Sequence, residues 1–255
     1  MKKSSFEQET SIGLGDSVNK FTDEQQFKLF AINRSRKALI VGGLSCVGLG
    51  FLFFFFPEID LLFSGLFYDS SINSDGVTKK FWLRNSELLR LSFWLVDVVS
   101  RIVLVLAMII TLFQLWSRGR LLLASLIVTI SLILGPAFTV NSIFKEHWDR
   151  ARPGQIVDFG GDKAFSPAWA ISDQCTRNCS FTSGHAAAGF AFIVGHFVSR
   201  NLLWLWLGLI SGALIGLTRI AVGAHFLSDV VFSFYVVYLV TAITTLALTR
   251  IRATK

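Results

Sequence analysis

Two histidines, three cations and a carboxylate stand in this chain at spacings suited to chemistry on an anion. His225 and Asp229 are four apart, so on a helix they share a face. A carboxylate so placed accepts the Nδ1 proton and leaves the other nitrogen free to attack or to carry a proton. His185 follows Ser183-Gly184 and precedes an apolar run, Ala186 to Val198. Ser183 stands where a helix N-cap is wanted, and Gly184 lets backbone approach a ligand closely. A helix start there offers free N–H groups and partial positive charge, an anion site with His185 in its first turn. Lys145 and Arg152 are seven apart and would share a face if the helix before them continued. Arg152 supplies a fork for phosphate oxygens, Lys145 a point charge, and Arg219 a third cation. Each pattern has a plainer reading when taken alone. The cations would sit among lipid headgroups, and the histidine would be an interfacial residue beside a helix-capping Asp. Their convergence on one side of a membrane favours chemistry.

That side follows from the elements that must carry them. The 255 residues are 53% hydrophobic and 16% charged, with 25 Phe and 7 Trp, too apolar for an ordinary soluble domain. Several apolar runs reach the ~20 residues needed to cross a bilayer. The net charge of +7 lies mainly at the ends of those runs, which argues for membrane topology and against nucleic acid. The expected fold is an all-α membrane protein, six transmembrane helices in a bundle. Residues 1–37 form a cytoplasmic tail and residues 38–255 the membrane domain, with outer loops at about 57–90 and 145–182. The spans are Ala38–Phe56, Leu91–Trp116, Leu121–Phe144, Ala186–Val198, Leu202 to about Leu217, and His225 to about Leu248. Ser71 to Gly76 interrupts the first outer loop, and Pro136 is expected to kink the third span. Basic turns after spans two, four and six (Arg118, Arg120; Arg200; Arg250, Arg252, Lys255) put both termini inside. Lys145, Arg152, Ser183, His185, Arg219, His225 and Asp229 then all fall on the outer face.

Taken together the pattern is specific. Lys145, six residues, Arg152-Pro153; then Ser183-Gly184-His185; then Arg219, five residues, His225, three residues, Asp229. Order and spacing resemble the three-part signature of the type 2 phosphatidic acid phosphatase family. Thr182 and Thr218 depart from the usual Pro and Ser. The resemblance implies His225 as nucleophile, Asp229 as its orienter and His185 as general acid. It implies Lys145, Arg152, Arg219, Ser183 and the Gly184 N–H as a phosphate cage. It implies no metal and no other cofactor. Further stretches look like the bacterial lipid A 4′-phosphatases: Phe56 to Asp60, Phe67 to Ser71, Lys145 to Trp148, Phe159 to Lys163, and Gln174 to Phe181. The expected function is hydrolysis of a lipid A phosphate monoester, the 4′-phosphate favoured, on the periplasmic face of a bacterial inner membrane. The partner is a lipid of the outer leaflet. The alternatives are another lipid carrier of phosphate (lipid A 1-phosphate, undecaprenyl pyrophosphate or phosphatidylglycerol phosphate) and a non-catalytic lipid-binding or transport protein.

Some residues stand apart from that signature. Cys175 and Cys179 lie in the second outer loop, where an oxidising compartment favours a disulfide closing a tight turn. Half of a metal site is the other reading, but two more ligands at suitable spacing are not evident. Asp97 and Arg101 are expected to pair at i,i+4. Asp158, Asp162, Lys163 and Trp169 are candidates for headgroup selection by location alone, whereas His147, Trp148 and Asp149 read either as residues that only position Arg152 or as contacts to a sugar or second phosphate. His196, near the inner end of span four, reads as structural.

Overall fold

A computed structural model describes residues 23–69 and 80–251. Helix α1 (Asp23–Phe55) is followed by the short α2 (Glu58–Gly65) and by strands β1 (Tyr68–Asp69) and β2 (Lys80–Phe81), paired antiparallel. Then come α3 (Glu87–Ser117), α4 (Leu122–His147), α5 (Gly184–Val198), α6 (Leu203–Ala221) and α7 (Leu227–Ile251). Of these, α1, α3, α4, α6 and α7 are long and apolar enough to cross a membrane. The fourth expected span, α5, has 15 residues and is interrupted by a 3-10 turn at Ala191–Ile193. At about 1.5 Å per residue it reaches roughly 22 Å, short of a ~30 Å hydrocarbon core. The expected six full helices are therefore five, with one short partner, among the described residues.

Several boundaries move for local reasons. Asp23 to Lys37, expected in the tail, is helical and continuous with α1. Arg34 explains why: its guanidinium donates to the Ser199 carbonyl at 2.9 Å and to the His196 carbonyl, fastening the helix to the far end of α5. The third span carries its break as a long π-helical stretch, Ile133–Phe144, around Pro136. Proline has no N–H to give and crowds the turn before it, so the helix widens there. Asn141 Nδ2 donates to the Pro136 carbonyl at 2.8 Å, and Thr139 Oγ1 to the Leu134 carbonyl at 2.6 Å. Helix α3 starts at Glu87, where Ser86 caps the Leu89 N–H. Helix α6 runs on to Ala221, so Arg219 lies in its last turn rather than in a loop. The Ser71–Gly76 interruption, the tail before Asp23 and the terminal Arg252 and Lys255 lie outside the described residues.

Helix α7 is the centre of the bundle and packs against α1, α4, α5 and α6. Helix α3 is peripheral: Leu88, Trp94, Ile102, Ile109 and Trp116 are exposed along it, as lipid-facing side chains would be. Close approach of α5 and α6 depends on small residues. A Cβ on Gly212 would lie 2.2 Å from the Phe190 ring, and one on Gly208 2.4 Å from the Ile193 side chain. Glycines four apart, Gly208 and Gly212, thus form the groove that receives α5 and sets its height. At the loop end, Phe81, Tyr68 and Phe159 form an aromatic cluster. The Phe81 ring fills the space above Gly223, whose φ of 70° suits a residue without Cβ.

Candidate active site

His225 sits just before α7, buried at 1% exposure, rather than on the helix as expected. Its Nδ1 lies 2.7 Å from the Ser180 carbonyl oxygen and 3.6 Å from Asp229 Oδ2. The first is a hydrogen bond and the second is too long for one. A carbonyl can only accept, so Nδ1 donates and Nε2 keeps its lone pair. Asp229 works one step back. Its Oδ2 accepts from the Ser180 hydroxyl at 2.5 Å and the Phe226 N–H at 2.8 Å, and its Oδ1 from Arg150 at 2.7 Å. It therefore holds both the residue whose carbonyl orients His225 and the backbone just after it. Burial pushes the His225 pKa well below its ordinary value, with Asp229 opposing and Arg152 and Arg219 adding to the fall. The ring is neutral where an unperturbed histidine would be partly charged.

Arg150 joins this network from below. It is wholly buried, donating to Asp60 Oδ2 at 2.8 Å, to Asp229 and to the Ser228 hydroxyl at 2.8 Å. The Phe226 ring lies 4.2 Å from its guanidinium carbon. Burial opposes its charge, but Asp229 and Asp60 outweigh burial and raise its pKa further.

Ser183 caps α5 as expected, its hydroxyl accepting from the Ala186 N–H at 3.4 Å. Its own N–H donates to the Asp229 carbonyl at 3.3 Å, and its carbonyl accepts from the Ser233 hydroxyl at 2.9 Å. The start of α5 is thereby docked on the start of α7, which brings the His185 and His225 segments together. Gly184 permits a close approach: a Cβ there would lie 2.7 Å from Asn141 Oδ1 and 3.1 Å from Lys145 Nζ. His185 Nε2 stands 3.5 Å from Asp97 Oδ1. The expected Asp97–Arg101 pair is not formed among the described residues; α3 turns Asp97 toward α5 instead.

Lys145 and Arg152 do not share a helical face, because α4 ends at His147 and Arg152 is extended before the 3-10 turn Pro153–Gln155. They meet through the loop fold. The Arg152 guanidinium donates to the Asn178 carbonyl at 2.7 Å, and its N–H to Gln155 Oε1 at 3.0 Å. Burial lowers the Arg152 pKa, Asp229 opposing, though a guanidinium stays charged. Arg219 lies over the Phe93 ring at 4.2 Å, and its Nε is buried with no partner among the described residues. Arg152 and Arg219 act electrostatically on both imidazoles, and Lys145 on His185. So Lys145, Arg152, Ser183, Gly184, His185, Arg219, His225 and Asp229 converge. Cys175 and Cys179 are joined as a disulfide in the loop that carries Asn178.

Other expectations fare differently. Trp148 and Trp169 pack with Phe144 and Phe181 and neither lines the site. Asp162 and Lys163 are exposed and lie 3.9 Å apart. The Thr218 hydroxyl turns back onto the Ile215 carbonyl at 2.7 Å, away from Arg219. His196 is buried and held by Arg34 at 3.3 Å, a structural contact. Sequence reasoning missed Asp60, Asp97, Arg150 and Ser180 as parts of the site. For Arg150, an arginine two residues from the expected phosphate fork was the one available signal.

Comparisons with known proteins give the family of the chain. The model of the PAP2 superfamily matches residues 119–253. Three curated relatives are each named lipid A 4′-phosphatase. One, from Francisella tularensis subsp. novicida, is 33% identical over 81% of this chain and 94% of its own length. One from Rhizobium etli is 36% identical over 69% of this chain and 73% of its own, and one from Rhizobium leguminosarum 34% over 69% and 81%. No solved structure matches. The expected phosphoric monoester hydrolase accords with the activity in all three relatives' names. With the superfamily model over more than half of its length, and relatives at a third identity, this chain belongs to the PAP2 superfamily.

Proposed function

We propose that the chain removes the 4′-phosphate of lipid A through a phosphohistidine on His225, at the periplasmic face of a bacterial inner membrane. The observation that carries the chemistry is the Ser180 carbonyl on His225 Nδ1, which leaves Nε2 as a free lone pair within reach of two arginines. Nε2 attacks phosphorus, a P–N bond forms and the ester P–O bond breaks. His185 gives a proton to the departing alkoxide. Water then attacks the phosphohistidine, His185 takes back a proton, and phosphate leaves with His225 restored. Lys145, Arg152, Arg219, Ser183 and the Gly184 N–H neutralise the equatorial oxygens, where phosphoryl transfer needs most help. None of these steps requires a metal.

Six membrane segments, α5 included, leave both termini cytoplasmic, in keeping with the basic turns at Arg118, Arg120 and Arg200. A short α5 based at the Arg200 turn leaves Gly184 recessed below the outer headgroups, where a phosphate whose acyl chains stay in the bilayer can enter. The lipid A assignment draws on the relatives' names; the cage itself reads phosphate and not its carrier.

Mass spectrometry of lipid A from cells with and without the protein tests the substrate. The 4′-phosphate should be lost only with active protein, and His225→Ala should stop the loss without hindering membrane insertion. Loss from the 1-position, or no change in lipid A while another lipid is dephosphorylated by pure protein, would move the assignment to that lipid. Binding without any release would favour a transport protein.

A further inference from the structure

Outside the two histidines lies a cavity of about 280 Å³ that shares Arg152 and Arg219 with the site and is lined further by Arg84, Arg90, Phe93 and Gly223. Arg84 belongs to the turn after β2. Its guanidinium donates to the Gly154 carbonyl at 3.4 Å, two residues from Arg152. The position is fixed from beneath, since Phe81 is 1% exposed and packs on Gly223, while the Gly154 N–H donates to the Gly223 carbonyl at 2.9 Å. The β1–β2 hairpin thus fastens Arg84 to the loop carrying Arg152 and to the turn between Arg219 and His225. Among the described residues no carboxylate pairs with Arg84, whereas Arg90 is matched by Glu87. On the shared wall, Arg219 Nε is buried and has no partner among the described residues.

We infer that this cavity is a second anion subsite, in which Arg84, across the wall shared with Arg152 and Arg219, binds a second phosphoryl group on the headgroup of the same lipid. The inference rests on the phosphatase reading above and narrows its substrate to lipids bearing two phosphates. The first phosphate lies at His225, where both shared arginines already act. A second, spaced across the headgroup, meets a guanidinium fork held by the hairpin. A cavity of this size accommodates a phosphate and part of the sugar or glycerol that bears it, but no acyl chains.

Phosphate release by the purified full chain in neutral detergent micelles tests it, using one glycolipid in its mono- and bisphosphorylated forms. Wild type should prefer the bisphosphorylated lipid by about tenfold in kcat/KM, mostly through KM, the size expected for charged hydrogen bonds. Arg84→Gln should bring that ratio close to one, and Arg84→Lys should keep part of it. A wild-type ratio near one would overturn the subsite, as would a ratio that Arg84→Gln leaves unchanged or rates that fall equally for both lipids. No release from either lipid by wild type would instead sink the phosphatase reading.

Discussion

The Nδ1 proton of His225 has one short acceptor, the Ser180 carbonyl at 2.7 Å, and this fixes which nitrogen can attack phosphorus. Burial holds the ring neutral, so its pKa lies below the ordinary ~6.5. As pH falls through the ordinary ~6.5 the unfolded ring takes up a proton that the folded, buried ring does not, so this group favours unfolding progressively below that pH until the folded ring charges too. Nitrogen-15 NMR of histidine-labelled protein, with His225→Asn to assign the signal, should therefore show a neutral, Nδ1-protonated His225 at pH about 5.5, a unit below the ordinary value. An imidazolium at that pH, or an Nε2–H tautomer, would remove His225 as nucleophile. Its residue type and spacing to Asp229 were legible in the sequence because four positions on a helix are local information. The Ser180 carbonyl was not, since it comes from 45 positions away and a backbone oxygen leaves no mark in residue type. Asp97 misled for a similar reason: an Arg four residues on is a sufficient local partner, and only the docking of α3 on α5 brings His185 to it.

Helix α5 is short, starts at the site and is seated by its neighbours, so its first turn is where an element's geometry becomes chemistry. Ser183 as cap and Gly184 as the point of close approach were legible, because cap chemistry lies in a few consecutive residues. The height of α5 was not legible, as it depends on Phe190 and Ile193 entering the groove at Gly208 and Gly212 of another helix. Nor was the bend that ends α4 at His147 and sends Arg152 round by a loop, because the sequence from Lys145 to Arg150 holds no Gly or Pro to break a helix. Gly184→Ala isolates the first turn. The added Cβ meets Asn141 Oδ1 at 2.7 Å and Lys145 Nζ at 3.1 Å, both ends of flexible side chains. The fold should survive with an unchanged or slightly higher thermal midpoint, since Ala is the better helix former. Lys145 should be displaced, and kcat should fall roughly ten- to a hundredfold, as misplacement by about 1 Å can do. Activity within twofold of wild type would show that Lys145 Nζ does not approach the reacting phosphate through Gly184.

At the scale of the whole molecule, Arg150 joins three distant stretches: Asp60 in α2, its own loop, and Ser228 and Asp229 on α7. Asp60 adds to the joint from its side, accepting from the Ser228 N–H at 2.8 Å and from the Ser228 hydroxyl. This is a polar joint with both carboxylates and the guanidinium at 0% exposure. Removing Arg150 leaves two buried carboxylates facing each other without their cation. Removing Asp60 still leaves Arg150 paired with Asp229. Arg150→Leu should therefore cost about 3–5 kcal/mol, the range for breaking a buried pair, and Asp60→Asn clearly less. Because Asp229 also holds Ser180, Arg150→Leu should loosen His225 before the bundle itself unfolds. Heating the purified variants in detergent, with phosphate release and tryptophan fluorescence followed side by side, distinguishes the order of events. Activity should be lost at a lower temperature than the fluorescence transition in Arg150→Leu, and the two should coincide in wild type. Coincident transitions in both proteins, at one unchanged temperature, would mean that the joint contributes nothing to the fold and that His225 is held without it.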